Sequence, residues 1–263
     1  MQVGRFLVSL LLVPLPLIPS AAQQSTAAPQ PQRDPEALSL LARCSAAMGS
    51  PDLATTVYAS GVIIPSNRSD PRIPLVLKSK GGDKQLWEMN AAAARDSIVL
   101  NGGSGKSIRD SRDQRMPGWQ TMYARPEHFP ALLCAAELQR QNMDIVYVGL
   151  EKVDDNSVHH IKFAATARGK SQRADAAQSL ISEFHIFLDA QSFVVLKTQR
   201  FAFSPDAIEN HSTFETYYQK YNSVVGVLMP FTMTNFLAGE KLQDIFFDDI
   251  RLNVGVSDTD FSI

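Results

Sequence analysis

The stretch EFHIFLDAQSFVVLKTQRFAF, Glu183 to Phe203, decides the fold. It reads as two β-type runs, Glu183–Leu188 and Phe193–Phe203, around the turn residues Asp189-Ala190-Gln191-Ser192. Such a short connection can only join antiparallel strands, because a parallel crossover needs a dozen or more residues. Large apolar groups point to both sides of the first run, with Phe184, Ile186 and Leu188 opposed by Phe187, so both faces of the sheet need cover here.

The same grammar extends in both directions. Downstream, Ser212–Tyr221, Val225–Leu237 and Lys241–Asn253 are strand-like, linked by Ser204-Pro205-Asp206 and Ala238-Gly239-Glu240. Upstream lie Met143–Val153 and Val158–Thr166 around Asp154-Asp155-Asn156, with Ala167–Ile181 long enough for a loop and a short helix. The first half adds Thr55–Ile64, Leu75–Lys80, Gln85–Met89, Ser97–Leu100 and Lys106–Arg109, with a hairpin turn at Lys80–Lys84. Two helices interrupt this pattern. Asp34 is an N-cap, Pro35 takes the first helical position and Glu36 suits the dipole, while Ala37, Leu38, Leu41, Cys44, Ala47 and Met48 recur at helical spacing up to Gly49. Pro126–Gln141 reads as one helix or two short ones. The expectation is an α+β fold, a strongly curved antiparallel sheet with two or three packed helices, in a single domain over 34–263.

Composition is that of a globular chain: 263 residues, 44% hydrophobic, 20% charged, formal net charge −2. No basic footprint points to nucleic acid. At the N-terminus Arg5 precedes an apolar run, Phe6–Ile18, and Ser20-Ala21-Ala22 offers a small-residue cleavage site, so 1–22 reads as a signal peptide; about 13 apolar residues are too few for a bilayer core that needs about 20. Gln23–Arg33, with two prolines and no acidic residue, reads as a flexible linker. The expected location is periplasmic or otherwise exported, soluble after cleavage. In such a compartment Cys44 and Cys134 form either one disulfide or two buried thiols; spacing alone does not choose.

Motifs for chemistry fail one by one. Gly102-Gly103-Ser104-Gly105-Lys106-Ser107 mimics a phosphate-binding loop, but Leu100 stands where the first glycine belongs and no apolar-faced helix follows, so it reads as a β-turn. Ser104 has Gly102 before it but Lys106 where a hydrolase elbow needs glycine. His159 and His160 are adjacent on a strand and point to opposite faces, and His128, His185 and His211 stand alone. Asp244, Asp248 and Asp249 lack a calcium-loop pattern. No catalytic residue, metal site or cofactor is expected.

Three segments carry a resemblance. Phe187–Val195, with its strand-Asp-turn-Val-Val pattern, Tyr221–Phe231 (YNSVVGVLMPF) and the closing Asp248–Asn253 with Asp258–Phe261 resemble the outer-membrane lipoprotein carrier (LolA/LolB-like) superfamily, and the opening helix Pro35–Met48 is similar to its start. The resemblance implies an incomplete β-barrel around an apolar cavity closed by helices, with an acyl chain, lipid or lipoprotein as ligand. Asn101–Arg125 and Ala167–Ile181 depart from it by length and polarity.

Alternation then nominates a cavity face: Phe184 with Ile186, Met229 with Phe231 and Met233, and Phe246 with Ile250, while Arg200, Lys220 and Arg251 mark wetter positions. Met229 and Met233 suit varied chains because methionine is unbranched. The competing reading is an interaction or sensor domain of the same fold, with its cavity filled and a membrane-associated protein as partner. A membrane barrel would also use strands of this length, but Lys152, Lys162, Lys197, Arg200, Lys220 and Arg251 are scattered through them.

Overall fold

A computed structural model describes residues 30–49, 53–67, 72–91, 94–109, 112–169, 171–204 and 207–263. Residues 1–22 and the linker as far as residue 29 lie outside the described residues. The end of that linker departs from the sequence expectation of a free tether. Arg33 bridges Ile145 in parallel, the Ile145 amide donates to the Gln32 carbonyl at 2.7 Å, and the Arg33 guanidinium donates to the Arg140 and Leu138 carbonyls. Backbone groups of an edge strand need partners, and this segment supplies them.

Among the described residues thirteen antiparallel strands form one open, curved sheet. After α1 (Pro35–Met48) come β1 (Thr56–Pro65), β2 (Ile73–Lys80), β3 (Lys84–Ala91), β4 (Ala94–Asn101), β5 (Ser104–Arg109) and β6 (Arg112–Arg115), each paired with the one before. The chain then crosses through α2 (Gly118–Thr121) and α3 (Pro130–Gln139) to the opposite edge. There β7 (Met143–Val153), β8 (Asn156–Ala165), α4 (Gln172–Ser182), β9 (Phe184–Asp189), β10 (Val195–Ser204), β11 (Ala207–Val224), β12 (Val227–Leu237) and β13 (Glu240–Leu252) run back to the centre, where β13 pairs with β1. β6 and β7 are the two edge strands and do not pair with each other, so the barrel stays incomplete. β6 is four charged or polar residues (RDQR), which carry no apolar alternation to announce a strand.

The helices fill one half of the concave face. Asp34 caps α1 by accepting the Glu36 amide. Ala37, Leu41, Cys44 and Met48 of the expected stripe are buried and Leu40 joins them, while Leu38 is half-buried and Ala47 exposed. The helix packs on α3, β7 and β12. Cys44 and Cys134 join α1 to α3 through a disulfide with Cα atoms 6.6 Å apart. Gly49 ends α1 at φ 104°, against the β11–β12 turn, where a Cβ would sit 2.6 Å from the Gly226 carbonyl oxygen.

The opposite face explains why the deciding stretch is apolar on both sides. Phe187 packs outward with Val153 and Val158, flanked by Leu196 and Tyr217, and the Lys197 ammonium lies 4.7 Å from its ring centre. At the far wing Leu86, Val99 and Phe261 form a second outer cluster, closed by the C-terminal 3₁₀ turn Asp258–Phe261.

Candidate ligand cavity

Where the helices stop, the concave face encloses a cavity of about 470 Å³. One wall is Trp87 and Met89 of β3 with Ile98 and Leu100 of β4; the other is Arg200–Phe203 of β10 and Phe214 of β11. Ile63, Asn235 and Gln243 form the floor, and Met116, Trp119, Tyr123 and the segment Ala124–His128 before α3 form the roof. The volume lies within the range of small-molecule sites, about 300–1,000 Å³. Both tryptophans of the chain face it.

Strand pairing sets the floor. Thr198 opposes Thr216, Thr216 opposes Asn235, and Asn235 opposes Gln243, so one polar row crosses four strands on the concave side. Beside it runs the apolar row Tyr218, Met233, Ile245 and Ile63. Asn235 is 3% exposed and its Oδ1 has no partner.

Roof and sheet are pinned together. Tyr218 donates to the Glu127 carbonyl at 2.6 Å, and Thr198 and Tyr218 share a hydroxyl hydrogen bond at 2.8 Å. The Gln85 amide donates to the Arg125 carbonyl. Arg200 pairs with Glu127 at 3.0 Å and lies over the Phe214 ring. Arg125, almost fully buried, pairs with Glu137 at 3.0 Å; burial lowers its pKa and Glu137 opposes that. Glu183 pairs with Lys162 and His185. The His128 ring lies edge-on to Trp87, 3.8 Å between centres, with Nδ1 unpartnered; burial first and the nearby Arg200 charge second push its pKa down to about 3, so it is neutral at pH 7.

None of the seven residues nominated from alternation is among those lining this cavity. Phe184, Ile186, Met229, Met233 and Ile250 are buried in the main core with α1 and α3, and Phe231 packs half-buried against it. The helices occupy the space these side chains face. Phe246 and Ile250 do not share a face as expected. Ser60 pairs with Asp249 and Gly61 with Phe247, so a bulge at Asp248 exchanges the faces of β13 between the two positions. At this bulge a Cβ on Gly61 would overlap the Phe246 carbonyl oxygen. Of the wetter positions, Arg200 alone lines the cavity. Sequence reasoning missed Trp87, Ile98, Trp119 and Asn235. The visible signal was limited to Trp119, a large aromatic within the polar Asn101–Arg125 segment, which a solvated loop would not need.

His159 and His160 point to opposite faces: His159 meets Tyr147 and Phe193, and His160 meets His185 and Phe187. Among the described residues no three His, Cys, Asp or Glu side chains are placed to hold a metal ion. The Gly102-Gly103 pair forms the β4–β5 turn, with φ of 55° and 83°.

No protein-family model and no curated protein matches the chain. Solved structures do. A domain named for outer membrane lipoprotein sorting, from Vibrio parahaemolyticus, is 14% identical with a TM-score of 0.55, covering 85% of this chain and 95% of its own. A LolA superfamily protein from Nitrosomonas europaea is 13% identical with a TM-score of 0.56, covering 86% and 97%. A DUF1329 family protein from Desulfovibrio piger gives 13%, 0.57, 86% and 96%. The chain therefore has a LolA-like fold: a curved, unclosed antiparallel sheet holding helices and a cavity on its concave side. Among the described residues no helix is long and apolar enough to cross a membrane.

Proposed function

We propose that this protein is an exported lipid-binding protein that holds an acyl chain, free or as part of a lipid or lipoprotein, in the cavity between its two sheet wings. The observation that carries the reading is the cavity itself, about 470 Å³ walled by Trp87, Met89, Ile98, Leu100 and Phe214 and roofed by Trp119 and Tyr123. Burying a chain there is worth about 0.8 kcal/mol per methylene, and no catalytic group is required. Relatives in fold include a domain named for lipoprotein sorting, which supports this class of ligand. Export is supported by the N-terminal sequence 1–22 and by a disulfide, which persists in an oxidising compartment.

The test is uptake of a fluorescent acyl probe by wild type and by two variants. Ile98→Asp places an unpaired charge on the wall and is expected to weaken uptake at least about tenfold, because an uncompensated carboxylate in an apolar site costs well over 1 kcal/mol. Phe246→Asp, on the outer side of β13, is expected to leave uptake unchanged. If wild type takes up no acyl probe, or both folded variants bind it as wild type does, the reading is wrong.

A further inference from the structure

The polar groups of the cavity say what kind of chain it takes, an inference that rests on the acyl-binding reading above. Among the described residues four side chains lining it carry charge, and each is already paired: Arg125 with Glu137, Arg200 with Glu127, and Glu183 with both Lys162 and His185. His128 adds no positive charge at neutral pH, since its buried ring is held neutral. A fatty-acid carboxylate would therefore enter without an unpaired cation to meet it. To gain one it would have to draw Arg200 from Glu127, leaving that carboxylate uncompensated, or take Arg125 from the Glu137 carboxylate it shares with Arg140, and both are unfavourable in a buried setting.

What the cavity does offer is neutral hydrogen-bonding capacity. Asn235 on the floor is 3% exposed with its Oδ1 unpartnered, and Gln243 lies directly across from it on β13. His128 in the roof also has an unpartnered buried nitrogen. Buried polar atoms are nearly always satisfied, and each exception costs about 1–3 kcal/mol. A carboxamide oxygen of this kind is an acceptor and calls for a donor. We propose that the cavity selects an uncharged amphiphile, an acyl chain bearing a hydroxyl or amide donor as in a monoacylglycerol, over the corresponding fatty-acid anion, with Asn235 as the residue that reads the donor.

Three competitors with one chain separate the possibilities: 1-monomyristoylglycerol, methyl myristate, which has no donor, and myristate held well above its pKa. Each is titrated below its aggregation threshold against a fluorescent acyl probe bound to the wild-type protein. The expected order places monomyristoylglycerol about tenfold tighter than either of the others, the worth of one satisfied buried hydrogen bond. Asn235→Leu, which keeps the branching at Cγ and removes the carboxamide, is expected to lose the preference for the glyceride over methyl myristate. Equal binding of all three by wild type, or tightest binding of myristate, overturns this inference and leaves acyl binding standing. Displacement by none of them, with no probe bound at the outset, overturns the acyl-binding reading itself. A folded Asn235→Leu protein that keeps the preference removes Asn235 from the role. The wild-type order decides the ligand class even where the variant does not fold.

Discussion

Glu137 shows how one residue can fix a site without touching a ligand. Its side chain is fully buried on α3, and a single carboxylate oxygen accepts from Arg125 and Arg140, each at 3.0 Å. Arg125 in turn donates to the Tyr123 and Ser182 carbonyls and lies over the Phe184 ring, so the cavity roof and the end of α4 converge on this one ion pair. Removing one partner of a buried pair strands the other's charge. Glu137→Leu is accordingly expected to lower stability by about 3–5 kcal/mol, read from the urea midpoint at constant slope. A shift of under about 1 kcal/mol would show that water reaches Arg125. The sequence gives no warning of this role, because a lone Glu in an Ala- and Leu-rich helix reads as its solvated side.

Among the elements, the C-terminal 3₁₀ turn is fastened by charge. Lys78 reaches Asp260 at 2.6 Å, Lys80 and Lys84 reach Asp258 at 2.9 and 2.6 Å, and Phe261 fills the outer cluster between Leu86 and Val99. Hydrogen bonds from Lys84 and then Lys80 hold the Asp258 pKa down to about 2, and Lys78 lowers that of Asp260. A depressed carboxylate pKa stabilises the folded state above the unfolded value of 3.8 and loses that effect as pH falls toward about 2. Hydrogen exchange in β2 and β3 is therefore expected to quicken between pH 4 and 2 more than elsewhere in the sheet, after correction for intrinsic rates. In Asp258→Asn the extra change across that window should shrink; an unaltered profile would mean that Phe261 alone holds the turn.

The legibility of the elements follows their physics. Strands with one buried face announce themselves by alternation, and β7 spans the expected Met143–Val153. β6 has no buried residue and so no pattern, and the Asp248 bulge leaves no mark in composition while exchanging the face of every residue beyond it. Phe184, Ile186, Met229, Phe231, Met233 and Ile250 pack in or against the core that the helices share, and periodicity does not say which half of a sheet face helices cover. The cavity walls come from β3, β4, β10 and β11, far apart in sequence, and their meeting is a property of the crossover from β6 to β7.

At the scale of the molecule, that crossover is tied down by the disulfide. Cys44 and Cys134 close a loop with a sequence separation of 90, and α1 and α3 carry the core that both halves of the sheet share. A loop of this size predicts a loss of about 2–5 kcal/mol on removing the bridge. Cys44→Ala with Cys134→Ala is expected to unfold at correspondingly lower urea than wild type, and equal midpoints would show that packing alone holds the helices. The charge pairs around the roof are similarly expressions of the whole fold, since Arg200 and Glu127 are 73 residues apart and meet only when the wings curve toward each other.

The central claim is that an acyl chain occupies the space between those wings, and the protein carries its own reporters of it. Its two tryptophans, Trp87 and Trp119, face the cavity from the wall and from the roof. The direct measurement is fluorescence quenching by an acyl chain brominated along its length, in Trp87→Phe and in Trp119→Phe, so that each indole is read alone. Bromine quenches only on close approach, so a chain in the cavity is expected to quench both single-tryptophan proteins saturably, at the same concentrations that displace a fluorescent acyl probe. Binding of the brominated chain with neither tryptophan quenched would place the lipid elsewhere on the molecule and contradict the account.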